Sequence, residues 1–345
     1  MEINNCDGCG GKVEFSPRNK ALQCIKCGNL YPIEYKQTVL KHPIDWIPED
    51  SKVDGWVDAT KTCKCGVCGA QVTFNKYDIA TRCQYCHADA LIPQESLPGL
   101  RPEKVVPFKI DKSNAKQAFY EKIKTRKFLP NDFKRSLPNI DLGATYLSSF
   151  TFEGIVDASY RGRERHTRTV RDSDGRSRTE TYYTDFSGQI TQQYPNVLIE
   201  SSDKINQAEI DNILPYDFAE CYDYNNDFIK GYNVGYYNKN IKDAELQAKQ
   251  VMLDEVENSI RRKYTSIDSL TINPTYSNIK YNYTLLPAYF ITYDYKNKKY
   301  INLMNGQTGA LSGKVPRSGI KITLMVLFIL LAIGLPVLFI IMSML

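Results

Sequence analysis

Apolar and polar residues alternate in two short stretches near the start of the chain, Lys12-Val13-Glu14-Phe15 and Gln71-Val72-Thr73-Phe74. A period of two predicts a half-buried strand in each. Longer strand-like segments follow at residues 105–110, 146–160, 179–191, 197–200, 280–293 and 299–305. Two stretches switch to a period of 3.6. Over residues 113–127, Ala115, Phe119 and Ile123 share one face while Lys112, Lys116, Lys122 and Lys124 project outward, with Ser113 as the expected N-cap. Over residues 241–264, Ala244, Ala248, Val251, Met252, Glu255, Val256 and Ser259 form a stripe that reads as packing and not as a cofactor box. The chain closes with ITLMVLFILLAIGLPVLFIIMSML, 24 residues without a charge. As a helix this run is about 36 Å long at 1.5 Å per residue, enough to cross a hydrocarbon core of about 30 Å. Pro336 inside it is compatible with a membrane span.

The two short alternating stretches each lie inside a cysteine framework. Cys6-x-x-Cys9 is followed, after residues 10–23, by Cys24-x-x-Cys27. A shift of 59 positions maps these onto Cys65, Cys68, Cys83 and Cys86, and maps Gly10, Val13 and Phe15 onto Gly69, Val72 and Phe74. The chain therefore carries an internal repeat. Two Cys-x-x-Cys turns can aim four thiolates at one ion and leave no open position, which is the chemistry of a structural zinc site. Units of about 30 residues bury too little apolar surface to fold alone, so the metal supplies the missing stability. Cys83-Gln84-Tyr85-Cys86-His87 is also the attachment signature of a c-type haem. The repeat argues against that reading, because Gly28 occupies the place of His87 in the first copy. A disulfide framework requires an oxidising compartment. Cys63 competes with Cys65 for the second ion, and the repeat selects Cys65.

Compartment follows from the two ends. The opening MEINNCDGCG has neither a basic nor an apolar signal region, so no secretory signal is expected. Lys314, Arg317 and Lys321 precede the apolar tail, and the positive-inside rule then predicts a single-pass cell-membrane protein whose N-terminus and bulk are cytoplasmic. The expected architecture is multidomain: zinc ribbons over residues 1–35 and 63–93 joined by a linker at 36–62, an α+β domain with antiparallel strands over 104–313, and a transmembrane helix over 322–345.

The net charge of +5 is unevenly spread. Residues 1–92 hold eleven basic and eleven acidic side chains, and each four-thiolate zinc adds about −2, so the ribbons lack the cationic surplus that phosphate contacts need. Protein binding is the expectation for them. Positive charge concentrates instead over residues 101–135, eleven basic against four acidic, and in RGRERHTRTVRDSDGRSR. The lysine face of the first stretch suits acidic lipid headgroups or plain solvent. The second contains Asp174-Gly175, a turn signal, and reads as the mobile tip of a long hairpin. Its Arg161, Arg163, Arg165, Arg168, Arg171, Arg176 and Arg178 are candidates for an anionic partner: RNA, lipid or none. The 24 tyrosines concentrate in the strands, where a half-buried sheet face accounts for them.

The segment LLPAYFITYDYKNKKYINLMNGQTGALSGKVPRS closely resembles a module of bacterial and archaeal membrane-anchored double zinc-ribbon proteins of the TFIIB-type zinc-ribbon-like kind. Val106-Pro107-Phe108-Lys109, Ile229-Lys230-Gly231-Tyr232, the turn Asn305-Gly306-Gln307-Thr308-Gly309 and the ribbons extend the resemblance over most of the chain. Ala288-Tyr289 stands where relatives usually have Val-Trp. Tyr146-Leu147-Ser148-Ser149-Phe150 replaces a Leu-Pro-Phe-Trp-like run, so a partner surface centred on that Trp does not carry over. The resemblance implies a membrane-anchored protein without an established catalytic activity, of the kind associated with phage-shock-type envelope-stress systems.

Other chemistry is weakly signalled. The stretch Gly309-Ala310-Leu311-Ser312-Gly313-Lys314 is one residue short of a phosphate loop, and Val315 replaces the required hydroxyl residue. His42, His87 and His166 have no evident nucleophile beside them, and the lone Cys221 reads as a small buried apolar group. Trp46 and Trp56 both lie between the ribbons, as a docking site or as packing. The expected function is that of a non-enzymatic, tail-anchored adaptor that recruits a membrane or membrane-recruited protein and sits in the lipid bilayer. The competing expectation is a membrane-tethered nucleic-acid binder using the arginine segment.

Overall fold

The computed structural model describes residues 3–38, 41–46, 60–75, 82–83, 85–86, 88–94, 101–135, 138–171 and 173–343. In chain order these form β1 (Val13–Ser16), β2 (Ala21–Cys24), β3 (Leu30–Tyr31), β4 (His42–Pro43), β5 (Thr60–Cys65), β6 (Gln71–Asn75), β7 (Leu91–Gln94) and β8 (Lys104–Val105). Next come α1 (Lys112–Lys124), α2 (Asn131–Arg135), β9 (Asp141–Arg171), β10 (Ser177–Glu200), α3 (Gln207–Asp211), β11 (Tyr222–Asp223) and β12 (Asn233–Gly235). The rest is α4 (Ile241–Arg261), β13 (Ile267–Tyr295), β14 (Lys298–Asn305), β15 (Leu311–Gly313) and α5 (Gly319–Ser343).

β1, β2 and β3 make a small antiparallel sheet, and the other strands share one large sheet ordered β11-β8-β13-β9-β12-β6-β5-β7, with β10 on β9 and β14 on β13. This sheet is mixed and not purely antiparallel, because β8 runs parallel to β13 and β12 parallel to β9. Its spine is the antiparallel pairing of β9 with β13, from Ile267 opposite Glu164 to Thr292 opposite Asp141.

Alternation along this spine assigns each residue to a face. Leu285, Tyr289, Ile291 and Tyr293 of β13 join one core with Ala144 and Tyr146 of β9, while Leu286, Ala288 and Phe290 join another with Leu147. Both faces are covered, which is why LLPAYF is continuously apolar. The first core contains Val13, Phe15 and Leu22 of the small sheet and Ala115, Phe119 and Ile123 of α1. The second contains Cys65, Ala70, Val72 and Cys83. A third core places Ala244, Ala248, Met252, Val256 and Ile260 of α4 against Phe150, Phe152, Val156, Tyr281 and Tyr283. Asn240 caps α4 by accepting from the Lys242 amide, and Asp111, not Ser113, caps α1 by accepting from the Asn114 amide.

The sheet continues past α4 as a projecting arm. The arginine segment is not a loop: β9 runs through Arg171 and β10 restarts at Ser177, with Asp174-Gly175 in the turn between them and Gly175 at φ 77°. The cross-strand bond from Thr191 Oγ1 to Asp157 at 2.6 Å helps hold it, and Phe186 stacks at 3.8 Å on Tyr264 from the connection between α4 and β13. β13 begins 13 residues before the segment expected from its pattern, at Ile267. Asn273-Pro274 mimics a turn, yet Pro274 sits opposite Ala158 where β13 has no second neighbour and needs no second set of hydrogen bonds.

Glu200, at the end of β10, is fully buried; Ser149 Oγ and the Ser202 amide donate to it. Burial pushes its carboxyl up to about 8 from an ordinary value of 4.5, against the opposing Ser202 amide and Lys239. The folded state thus prefers the neutral acid, and its stabilisation is present below about pH 4.5 and lost as pH rises through about 8. We expect thermal stability to fall between pH 5 and 8 by an amount on the order of 4 kcal/mol from this residue alone. Glu200→Gln should remove that component, so the gap between variant and wild-type melting temperatures should widen with pH; a constant gap in detergent-solubilised protein would contradict it.

Candidate metal centres

Four sulfurs converge at each end of the two repeats. Cys6, Cys9, Cys24 and Cys27 present Sγ atoms within 4.8 Å of one another, and so do Cys65, Cys68, Cys83 and Cys86. The pairs Cys6–Cys27 and Cys9–Cys24 stand 3.5 and 3.6 Å apart, and Cys65–Cys86 and Cys68–Cys83 both 3.6 Å. A tetrahedral ion with metal–sulfur bonds of about 2.3 Å has S···S edges of about 3.8 Å, so an ion fits with small adjustment. Disulfides, at about 2.05 Å, are absent, and all these thiols are free.

Local backbone chemistry makes the turns. The Gly10 amide donates to the Cys6 carbonyl at 2.8 Å, Gly28 to Cys24 at 3.0 Å and Gly69 to Cys65 at 2.9 Å. All three glycines have positive φ, at 66°, 82° and 71°, a region that side chains disfavour. The fourth turn would place His87 in this role, but that residue lies outside the described residues.

The electrostatics ask for a cation. The Tyr31 hydroxyl donates to Cys6 Sγ at 3.3 Å and, with the Gly8 amide, brings that thiol down to about 6 despite burial. Burial pushes Cys65 up, but the Cys68 and Val67 amides outweigh it and bring it to about 7. Other members move the opposite way: the Asn29 amide favours the Cys27 thiolate, yet the Cys9 and Cys6 thiols hold Cys27 at about 12. Crowded thiols cannot all ionise against one another, and a bound divalent ion removes that penalty.

Each cluster is fused to the large sheet. The Phe15 amide donates to the Lys230 carbonyl at 2.9 Å, Lys230 Nζ to the Ile3 carbonyl at 2.7 Å, and Phe15 packs on Phe228 at 5.6 Å. On the other side β6 pairs with β12, Val234 opposite Thr73. Cys63 lies on β5 outside the second cluster, and burial raises its thiol. Cys221 is likewise outside both, pushed up to about 11 by burial.

The arginines do not form one patch. Alternation puts Arg161, Arg163, Arg165 and Arg171 on one face of the arm and Arg168 and Arg178 on the other, with Arg176 in the turn. Arg163 pairs with Asp185 at 3.2 Å, and Glu180 accepts from Arg168 at 3.0 Å and Arg178 at 2.6 Å. Arg163 and Arg168 also lie over Tyr183 and Tyr182. His166 stacks on Tyr182 at 5.1 Å; His42 bonds Glu103 and stacks on Trp46 at 3.5 Å. Trp46 is partly exposed, its ring stacked on His42 and its carbonyl accepting from the Tyr281 hydroxyl of β13 at 2.8 Å. Trp56 lies outside the described residues.

Spacing alone did not reveal Tyr31 or Asn29, whose Nδ2 lies 3.8 Å from Cys6 Sγ. The available signal is asymmetry in the repeat: their counterparts 59 positions on are Ala90 and Ala88. We expect Cys24→Ser and Cys83→Ser each to lower metal content from two ions per chain to one, measured by elemental analysis; two ions retained in either variant would refute these ligand sets. Tyr31→Phe should weaken retention at the first cluster about 10- to 100-fold in chelator competition and leave the second unchanged.

No family model matches the chain, and no solved structure matches it. Among curated proteins the chain is similar to the uncharacterized protein YdjG of Bacillus subtilis (strain 168), with 26% identity over 322 residues, 92% of this chain and 91% of that protein.

Proposed function

We propose that the chain is a cytoplasm-facing, tail-anchored membrane adaptor in which both thiolate clusters hold structural zinc and the ribbons recruit a protein partner. The observation that carries this reading is the fusion of two closed four-thiolate centres to a body that continues into a 25-residue apolar helix. All-sulfur tetrahedra select zinc over hard cations, and four protein ligands leave no position for substrate, so binding and not catalysis is the role inferred. α5 is about 37 Å long at 1.5 Å per residue, and its described side chains beyond Ile322 are exposed. Exposed apolar side chains in a span of this length suit lipid. Lys314, Arg317 and Lys321 before it favour the cytoplasmic orientation.

The ribbons also offer contact surface. Ile25 and Val67, inside the knuckles, are 64% and 69% exposed, and Leu30 and Ile92 beside them 53% and 54%. Repeated exposed apolar residues on metal-rigidified turns suit a protein partner. Envelope-stress proteins are the class to test first, because of the family resemblance. Nucleic acid ranks second, since three of the seven arginines already face carboxylates.

Residues 1–318 expressed alone should appear in the soluble fraction, whereas the full chain should resist carbonate extraction. Tagged full-length protein should retain a protein partner through nuclease treatment and lose it in Ile25→Glu or Val67→Glu. Co-purifying nucleic acid that disappears in Arg165→Gln/Arg171→Gln would replace this reading with the second.

A further inference from the structure

A cleft of about 1220 Å³ opens where the folded body meets the apolar helix. Six cations line it, from three separate parts of the chain: Lys122, Arg126 and Lys127 at the end of α1, Lys298 at the start of β14, and Lys314 and Arg317 just before α5. No carboxylate lines it, and none of the six has an ion-pair partner among the described residues. Lys122 donates to the Gly309 carbonyl at 2.5 Å and Arg126 to the Leu311 carbonyl at 3.4 Å, so both are held by neutral groups. Asp132 on the adjoining α2 is already engaged by Lys296 at 3.0 Å and by the Tyr295 hydroxyl at 2.8 Å. A helix C-terminus attracts cations by its dipole, which accounts for Lys122 on α1 but not for Arg126 and Lys127 beyond its end or for the three on the other two segments. Their convergence costs mutual repulsion that an anion would relieve.

We infer that this cleft binds the headgroup of an anionic phospholipid in the leaflet that α5 enters. This rests on the membrane reading given above and adds the ligand. Position selects lipid over free phosphate. The Ser318 amide donates to the Phe128 carbonyl at 2.7 Å, and Lys321 Nζ donates to the Leu129 carbonyl and Asn131 Oδ1, both at 2.7 Å. These bonds pin the first turn of α5 to the loop that forms the cleft wall. Arg317 precedes the helix by two residues and Lys314 by five. The headgroup layer is about 5 to 7 Å deep on each side of the hydrocarbon, within reach of long cationic side chains placed there. Of the lysines on α1, only Lys122 takes part; Lys112 lies instead over the Tyr232 ring at 6.0 Å.

The test uses the full chain reconstituted in phosphatidylcholine vesicles with trace spin-labelled lipid, comparing phosphatidylglycerol with phosphatidylcholine at the protein boundary. Each cation near an anionic surface contributes about a fivefold preference. Wild type should therefore select phosphatidylglycerol by about fivefold or more. Lys127→Gln/Lys298→Gln/Arg317→Gln should bring the ratio close to one, while Lys127→Arg/Lys298→Arg/Arg317→Lys, which keeps the charge, should preserve it. Equal association in wild type, or undiminished selectivity in the glutamine variant, overturns the inference. Selectivity abolished by millimolar inorganic phosphate also overturns it, and assigns the cleft to free phosphate. Protein that fails to float with the vesicles overturns the membrane reading itself, a result distinguishable from integrated protein without lipid preference.

Discussion

The pairing of β9 with β13 is the interaction on which the rest of the structure depends. It runs from Asp141 opposite Thr292 out to Glu164 opposite Ile267, and β4, β8, β10, β12 and β14 all attach to one of its two strands. A slip of one residue would send Tyr289 and Ile291 to the face of Leu286 and Ala288, emptying both cores together. The register also sets where chemistry can sit. α1 and the first thiolate cluster lie against one face and the second cluster against the other, so the two metal centres flank the spine and do not hang from a linker.

That placement changes what a metal ion does for the chain. An isolated ribbon depends on its ion for folding. Here Cys24 and Val13 share a core with Phe228 and Tyr289, and Cys83 shares one with Leu147 and Leu286, so the cysteine clusters are packed into the body and an ion held there would stabilise it jointly with the sheet. The same packing places exposed Ile25 and Val67 on knuckles braced from behind by a large body. A surface held this way has little conformational freedom left to lose on binding, which favours the proposed role.

The thiolate clusters were legible because ligand chemistry fixes the spacing of cysteines whatever surrounds them, and the repeat doubled the signal. The two long helices were legible because Ala115-Phe119-Ile123 and Ala244-Ala248-Met252 keep the 3.6 period against a sheet. The arm was hidden for the converse reason. Both its faces meet water beyond α4, so in Arg161–Arg171 charged and polar residues fall on both faces, with Val170 the one large apolar side chain, and no alternation is left to read. Residues 267–279 were masked by Asn273-Pro274, whose turn chemistry yields to an edge position that sequence does not reveal. β12, only Asn233-Val234-Gly235, has no pattern of its own, yet it joins the second ribbon to the sheet. Convergence of Lys298 with Arg317 and Lys127 is a tertiary fact with no local signature.

The bond between Lys230 and Ile3 spans 227 residues, which gives assembly an order in time. During synthesis the first cysteine cluster leaves the ribosome well before Phe228, Lys230 and Tyr232 exist to receive it. At roughly 5 to 20 residues per second the delay is about 10 to 45 s. Through that interval the first cysteine cluster and the β1-β2-β3 sheet have only their own local contacts to hold them, so an ion taken up on the proposed ligand set would act on the nascent chain before the large sheet could.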